Sequence, residues 1–197
     1  MQVVELESRD MDIRLDGKVA IVTGGSRGIG KAIAKVYADS GAQVMITSRN
    51  EDSCAATAEE LGDSVAYMAG HIARDEDAER VIEATMDQFG RVDILVNASR
   101  QVMVSDPLEP DDDAVGLLLE QNMMTALRRS QLVAKRMIKR AEDQPEGQIG
   151  SIINLSSIAA RQIQPELMGY SIASAAVQQM TRSLALSLAP HRIRVNA

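Results

Sequence analysis

Aromatic residues are scarce in this chain. Phe, Trp and Tyr make up 2% of its 197 residues, and tryptophan is absent. Any core must therefore come from Ile, Leu, Val, Ala and Met, within a hydrophobic set of 45%. Cys54 is the one cysteine, which excludes an intrachain disulfide and a cysteine-based zinc cluster. It lies early in a helical stretch with no basic neighbour close in sequence, so a reactive thiol is not expected. His71 and His191 stand far apart, which argues against a His-rich metal site. Basic charge is in deficit: 21 Lys and Arg face 28 Asp and Glu, a formal net charge of -7. That balance argues against nucleic acid or an anionic membrane as partner, since both call for a basic surface. No apolar run approaches a membrane span. The first residues, MQVVELESRDMD, lack the basic and apolar regions of a secretory signal, so a cytoplasmic setting is expected.

What is present is an alternation. Residues 1–14 read as an N-terminal arm, with Met11 a candidate start, and residues 15–197 as one domain. Short apolar runs at Val19–Val22, Val44–Thr47, Val65–Met68, Val92–Val96, Ile152–Leu155 and Ile193–Ala197 predict strands. Between them lie helical patterns. The first carries Ile29, Ile33, Val36 and Tyr37 at helical spacing up to Gly41. Others span Glu51–Leu61, Asp75–Phe89, Asp113–Arg140 and Gly169–Leu188, and several stop at glycine. The loop Asn97–Asp112 holds Pro107 and Pro110. Its acidic end, Asp111-Asp112-Asp113, reads as a helix cap rather than a metal site. Strand–helix alternation predicts an α/β fold, a doubly wound parallel sheet of Rossmann type, with ligands outside the carboxyl ends of the strands.

The first such loop is Thr23-Gly24-Gly25-Ser26-Arg27-Gly28-Ile29-Gly30. Its glycines let backbone turn tightly against a pyrophosphate, and the following helix N-terminus offers unpaired N–H groups. Gly24, Ser26, Arg27, Gly28, Ile29 and Gly30 are therefore candidate cofactor contacts. After the second strand, Thr47-Ser48-Arg49-Asn50 lacks the acid that holds a free ribose 2′-hydroxyl in NAD sites. Arg49, with Arg27 nearby, suits a 2′-phosphate and points to NADP.

These residues resemble the short-chain dehydrogenase/reductase family. The resemblance is carried by Thr-Gly-x-x-x-Gly-Ile-Gly at 23–30, Asp93-Ile94-Leu95-Val96-Asn97, Asn122, Ile152-Ile153-Asn154-Leu155-Ser156-Ser157, Tyr170-Ser171 and Ile193-Arg194-Val195-Asn196-Ala197. It covers residues 15–197 and is most like 3-oxoacyl-carrier-protein reductases and related NADP-dependent carbonyl reductases. It implies hydride transfer between a nicotinamide and a small carbonyl or alcohol. Tyr170 is implied as general acid/base, Ser157 as holder of the substrate oxygen and Asn122 as holder of a relay water. Asn97 is implied beside the cofactor, and His71 stands where the family often has an acid facing the adenine. The resemblance also implies a homodimer or homotetramer, paired through the helices at 113–140 and 169–188.

The chain departs from the family pattern in specific places. The family's Tyr-x-x-x-Lys would put a lysine at position 174, where it would bind the nicotinamide ribose and stabilise the tyrosinate; Ser174 stands there instead. A free tyrosine has a pKa of about 10, so loss of that cation weakens the case for turnover. Arg161 and Arg182 are the nearest cations in sequence, and Ser174→Lys is expected to raise activity if the pocket is otherwise intact. Arg100 replaces a glycine after the fourth strand and is expected to crowd the cofactor edge. The family continues past the sixth strand with a substrate lid and a seventh strand, which these 197 residues do not reach, as expected of either a fragment of a longer product or a degenerate relative. The alternative to an active oxidoreductase is therefore a catalytically impaired nucleotide-binding or oligomer-forming relative.

Overall fold

A computed structural model describes residues 13–104, 108, 113–144, 146–162 and 164–197. Within them the chain runs β1 (Val19–Thr23), α1 (Gly28–Asp39), β2 (Gln43–Thr47), α2 (Glu51–Leu61), β3 (Val65–Tyr67), α3 (Asp75–Phe89) and β4 (Ile94–Asn97). It continues as α4 (Ala114–Leu118), a π-helical turn (Leu119–Met124), α5 (Thr125–Arg140), β5 (Gly150–Asn154), α6 (Met168–Leu188) and β6 (Ile193–Asn196). Residues 1–12 of the expected arm, including Met11, lie outside the described residues, as do Pro107, Pro110, Asp111 and Asp112.

Every strand pairing is parallel, and the order across the sheet is β3-β2-β1-β4-β5-β6. This is the doubly wound sheet that the alternation predicts. Side chains alternate between its faces. Ile21, Met45, Leu95 and Ile152 meet Val81 and Ile82 of α3 and Val133 and Met137 of α5. Ala20, Val22, Val44, Ile46 and Val96 meet Ala34 of α1 and Ala58 of α2 on the opposite face. β1 is buried throughout, which accounts for its uninterrupted apolar run. At the foot of the sheet the buried Asp93 accepts from the Val19 N–H at 3.0 Å and from Arg91 at 2.7 and 2.8 Å, tying β1 to the start of β4.

The first helix forms as its spacing predicts, but its apolar residues do not mark its buried face, and the longest helical expectation needs correction. In α1, Ile29 and Val36 are 67% and 59% exposed; the buried positions are Gly30 and Ala34, with Ile33 and Tyr37 half-buried. Small residues face the sheet because the helix starts against the preceding loop. The single helix expected over Asp113–Arg140 is interrupted by the π turn, and Asp113, at its N-cap, makes no side-chain cap bond.

Candidate active site

The strand order reverses between β1 and β4, where doubly wound sheets bind ligands. A cleft of about 720 Å³ opens there, a size suited to a cofactor. It gathers Gly24, Ser26, Arg27, Gly28, Ile29 and Gly30 from the first loop, Arg49 from the second, His71 from the third and Tyr170 from α6. Asn97, Asn122, Ser157 and Ser174 do not line it.

The first loop is held tightly. Gly24 has φ +69°, a left-handed conformation that glycine adopts freely, and its N–H donates to the Thr47 carbonyl at 2.8 Å. A Cβ on Gly30 would lie 2.3 Å from the Gly24 carbonyl oxygen, so only glycine lets α1 begin this close to the turn. Thr23 accepts at its hydroxyl from the N–H groups of Ala98 and Ser99, at 3.0 and 3.1 Å. The start of α1 has no side-chain cap and no acid in its first turn. By contrast, Asn50 caps α2 by accepting from the Ser53 N–H at 2.7 Å, with Glu51 and Asp52 behind it. The α1 N–H groups are thus left for an anion. Thr47 Oγ1 and His71 Nδ1, both on cleft residues, are buried without a hydrogen-bond partner among the described residues. These groups fit a dinucleotide: donors for its phosphates, and free polar atoms farther along the cleft.

The loop bearing His71 is fastened from below. Asp77 accepts from the His71 N–H at 2.7 Å and from Arg80 at 2.7 Å. The His71 N–H bond is the main reason its carboxyl titrates below the usual range; burial opposes the shift, and Arg80 and Arg74 add to it. A depressed carboxylate stabilises the fold fully above its unfolded pKa, about 4. That contribution disappears as pH falls through the lowered native value. Asp77→Ala is therefore expected to cost about 1–2 kcal/mol at pH 7. The cost should shrink as the pH is lowered below that unfolded value, which paired denaturant melts at neutral and acid pH would check.

The remaining candidates have other partners. Asn97 Nδ2 donates to Asn154 Oδ1 at 2.8 Å and Ser130 Oγ at 3.2 Å, a buried network behind the cleft. Asn122, in the π turn, accepts from the Gln101 N–H and donates to its carbonyl, both at 2.8 Å. Ser157 accepts from the Ala159 N–H at 3.1 Å, capping a short 3-10 turn.

Ser174 is fully buried and accepts from Arg100, whose Nη2 lies 2.8 Å from its Oγ. Arg100 Nη1 donates to the Leu155 carbonyl at 2.6 Å, and the guanidinium carbon stands 5.0 Å from the Tyr170 ring centre. Burial pulls the Arg100 pKa down, while the charge interaction with Tyr170 pushes it up. Arg161 and Arg182 are exposed. The cation beside Ser174 is therefore Arg100, which the order of residues along the chain did not reveal. A lysine at 174 with Arg100 in place would press a second cation against the guanidinium, so the gain expected from Ser174→Lys calls for replacement of Arg100 as well.

The parallel sheet, the glycine turn and the uncapped helix define a dinucleotide-binding α/β protein. Residues 18–197 match the short chain dehydrogenase family. The 3-oxoacyl-[acyl-carrier-protein] reductase FabG of Vibrio cholerae is 35% identical over 184 residues, covering 93% of this chain and 72% of that protein. The sorbitol dehydrogenase of Cereibacter sphaeroides is 35% identical over 185 residues, 94% of this chain and 70% of that protein. The L-fucose dehydrogenase of Mus musculus is 34% identical over 184 residues, 93% of this chain and 64% of that protein. The chain belongs to the short chain dehydrogenase family, a family of oxidoreductases. Among the described residues no helix is long and apolar enough to cross a membrane.

Proposed function

We propose that the chain is an NADP-dependent oxidoreductase acting on a small carbonyl or alcohol. The observation that carries this reading is Tyr170 standing in the same cleft as the glycine loop and the uncapped start of α1. When bound, NADPH supplies a hydride to the carbonyl carbon. As that bond forms, Tyr170 gives its hydroxyl proton to the carbonyl oxygen; in alcohol oxidation it takes the proton back. Likeness to the family assigns the oxygen to Ser157, which follows the cleft-lining Ser156 but does not itself line the cleft. Its Oγ accepts from Ala159 and so keeps its own proton to donate. The Asn122 amide is committed to Gln101, so its part in a water relay runs through its backbone carbonyl.

Arg27 and Arg49 are exposed on the cleft, and no acid lines it among the described residues. A planar cation suits the 2′-phosphate of NADP. Calorimetric titration is expected to show NADPH binding more tightly than NADH. Arg49→Glu should weaken NADPH by about tenfold or more and leave NADH little changed. Equal losses for both would count against Arg49 reading the phosphate.

A second copy of the chain is the macromolecular partner in this reading. Leu117, Ile172 and Leu186 are exposed apolar residues on α4 and α6. Light scattering at micromolar concentration is expected to give a dimer or tetramer, and a monomer would reject it. A nucleotide-binding relative without turnover is the second reading, favoured by Ser174 in the lysine position. It requires that NADPH bind while turnover stays at the level of a Tyr170→Phe control.

A further inference from the structure

We propose that Arg100 is the positioning residue for Tyr170: its guanidinium, placed from the loop after β4, supplies the positive charge that favours the tyrosinate. The inference rests on the reading of Tyr170 as the proton-transfer group. Three contacts fix the guanidinium: Nη2 on Ser174 Oγ at 2.8 Å, Nη1 on the Leu155 carbonyl at 2.6 Å, and the charge 5.0 Å from the Tyr170 ring centre. Its Nε is buried without a partner, and among the described residues no carboxylate pairs with it. A partly buried cation with neutral partners is costly to hold. Negative charge developing on Tyr170 is the compensation within its reach.

The surrounding groups support the same assignment. α6 offers Ser174, a hydroxyl without charge, and the loop after β5 offers the Leu155 carbonyl. The other titratable groups lining the cleft are Arg27, Arg49 and His71, from the loops after β1, β2 and β3. None of these has a contact with Tyr170 comparable to the one Arg100 makes. The small side chain at 174 and the long cation at 100 are complementary: one leaves the space and the acceptor, the other fills them.

The absence of tryptophan makes a direct test practical. Tyr37, Tyr67 and Tyr170 are the only tyrosines, so Tyr37→Phe/Tyr67→Phe leaves Tyr170 alone to be titrated by its ultraviolet phenolate absorbance. In that background, Arg100→Met is expected to raise the Tyr170 midpoint by about one pH unit or more, and Arg100→Lys to raise it less. With NADP⁺ and a panel of secondary alcohols, Arg100→Met should move the rising limb of the rate profile upward by the same amount. At neutral pH that corresponds to a loss of about tenfold or more. Should Arg100→Met fail to fold, the pair Arg100→Gly/Ser174→Lys keeps one cation in the pocket and should hold the midpoint near that of the parent. An unchanged midpoint in Arg100→Met overturns the proposal whatever the activity, as does a midpoint in the paired variant raised above the parent's by about one pH unit or more. A raised midpoint upholds the coupling even if the parent turns over no alcohol, in which case only the oxidoreductase reading falls.

Discussion

Tyr170→Phe is expected to lower ketone reduction by roughly 10²- to 10⁴-fold, the range for losing a positioned general acid, while NADPH affinity changes little. The substitution removes one hydroxyl and keeps the ring, so Arg100 still has an aromatic face to rest on. The fold should be unaffected because the residue opens α6 and lines the cleft rather than the core. Initial rates over a ketone panel, with calorimetric titration of the coenzyme, separate the two effects. Equal turnover by parent and variant would mean that Tyr170 does no chemistry. A parallel collapse of binding would mean that the residue shapes the cleft instead.

Gly30→Val is expected to abolish coenzyme binding for a different reason. The added Cβ would meet the Gly24 carbonyl oxygen at 2.3 Å and its carbon at 2.8 Å, backbone atoms with no rotamer to change. Either the turn opens or α1 slides outward, and both remove the free N–H groups from their place. Overpacking of this kind costs about 1–3 kcal/mol of stability, and coenzyme affinity should fall by well over tenfold as the anion site disperses. Gly90→Ala is the control. Gly90 ends α3 outside the cleft and also has a positive φ, +75°, but nothing lies within 4 Å of its Cβ position, so strain of about 1–2 kcal/mol is expected without a clash. Denaturant melts and NADPH titration of both variants check the contrast. Equal binding losses would show that lost stability, rather than crowding of the turn, is what empties the site.

The fold was legible because its central strands β1, β4 and β5 are buried on both faces and announce themselves as short apolar runs. α2 and α3 were read with correct bounds, since local chemistry punctuates them: Asn50 before one, Gly62 and Gly90 after each. α1 was legible as a helix, but its buried face was not, because that face is made of Gly30 and Ala34, which carry little hydrophobic signal. The π turn was invisible because Leu119–Met124 has ordinary helical composition; its distinctive partner, Gln101, belongs to another loop.

The glycine loop, Arg49 and His71 were legible together because each follows a strand at the carboxyl end of the sheet, whereas Tyr170, in the first turn of α6, was legible only through the family's motif. The contact between Arg100 and Ser174 was not, for it joins positions 74 apart in the chain. The available signal was a coincidence: a charge gained at one unusual position and a charge lost at another.

Thr23 gives the arrangement a mechanical consequence. One hydroxyl oxygen holds two successive amides of the neighbouring crossover, Ala98 and Ser99, immediately before Arg100. The strand that leads into the glycine turn and the segment that carries Arg100 are therefore tied at a single side chain, and loss of that hydroxyl would leave both amides without their acceptor at once.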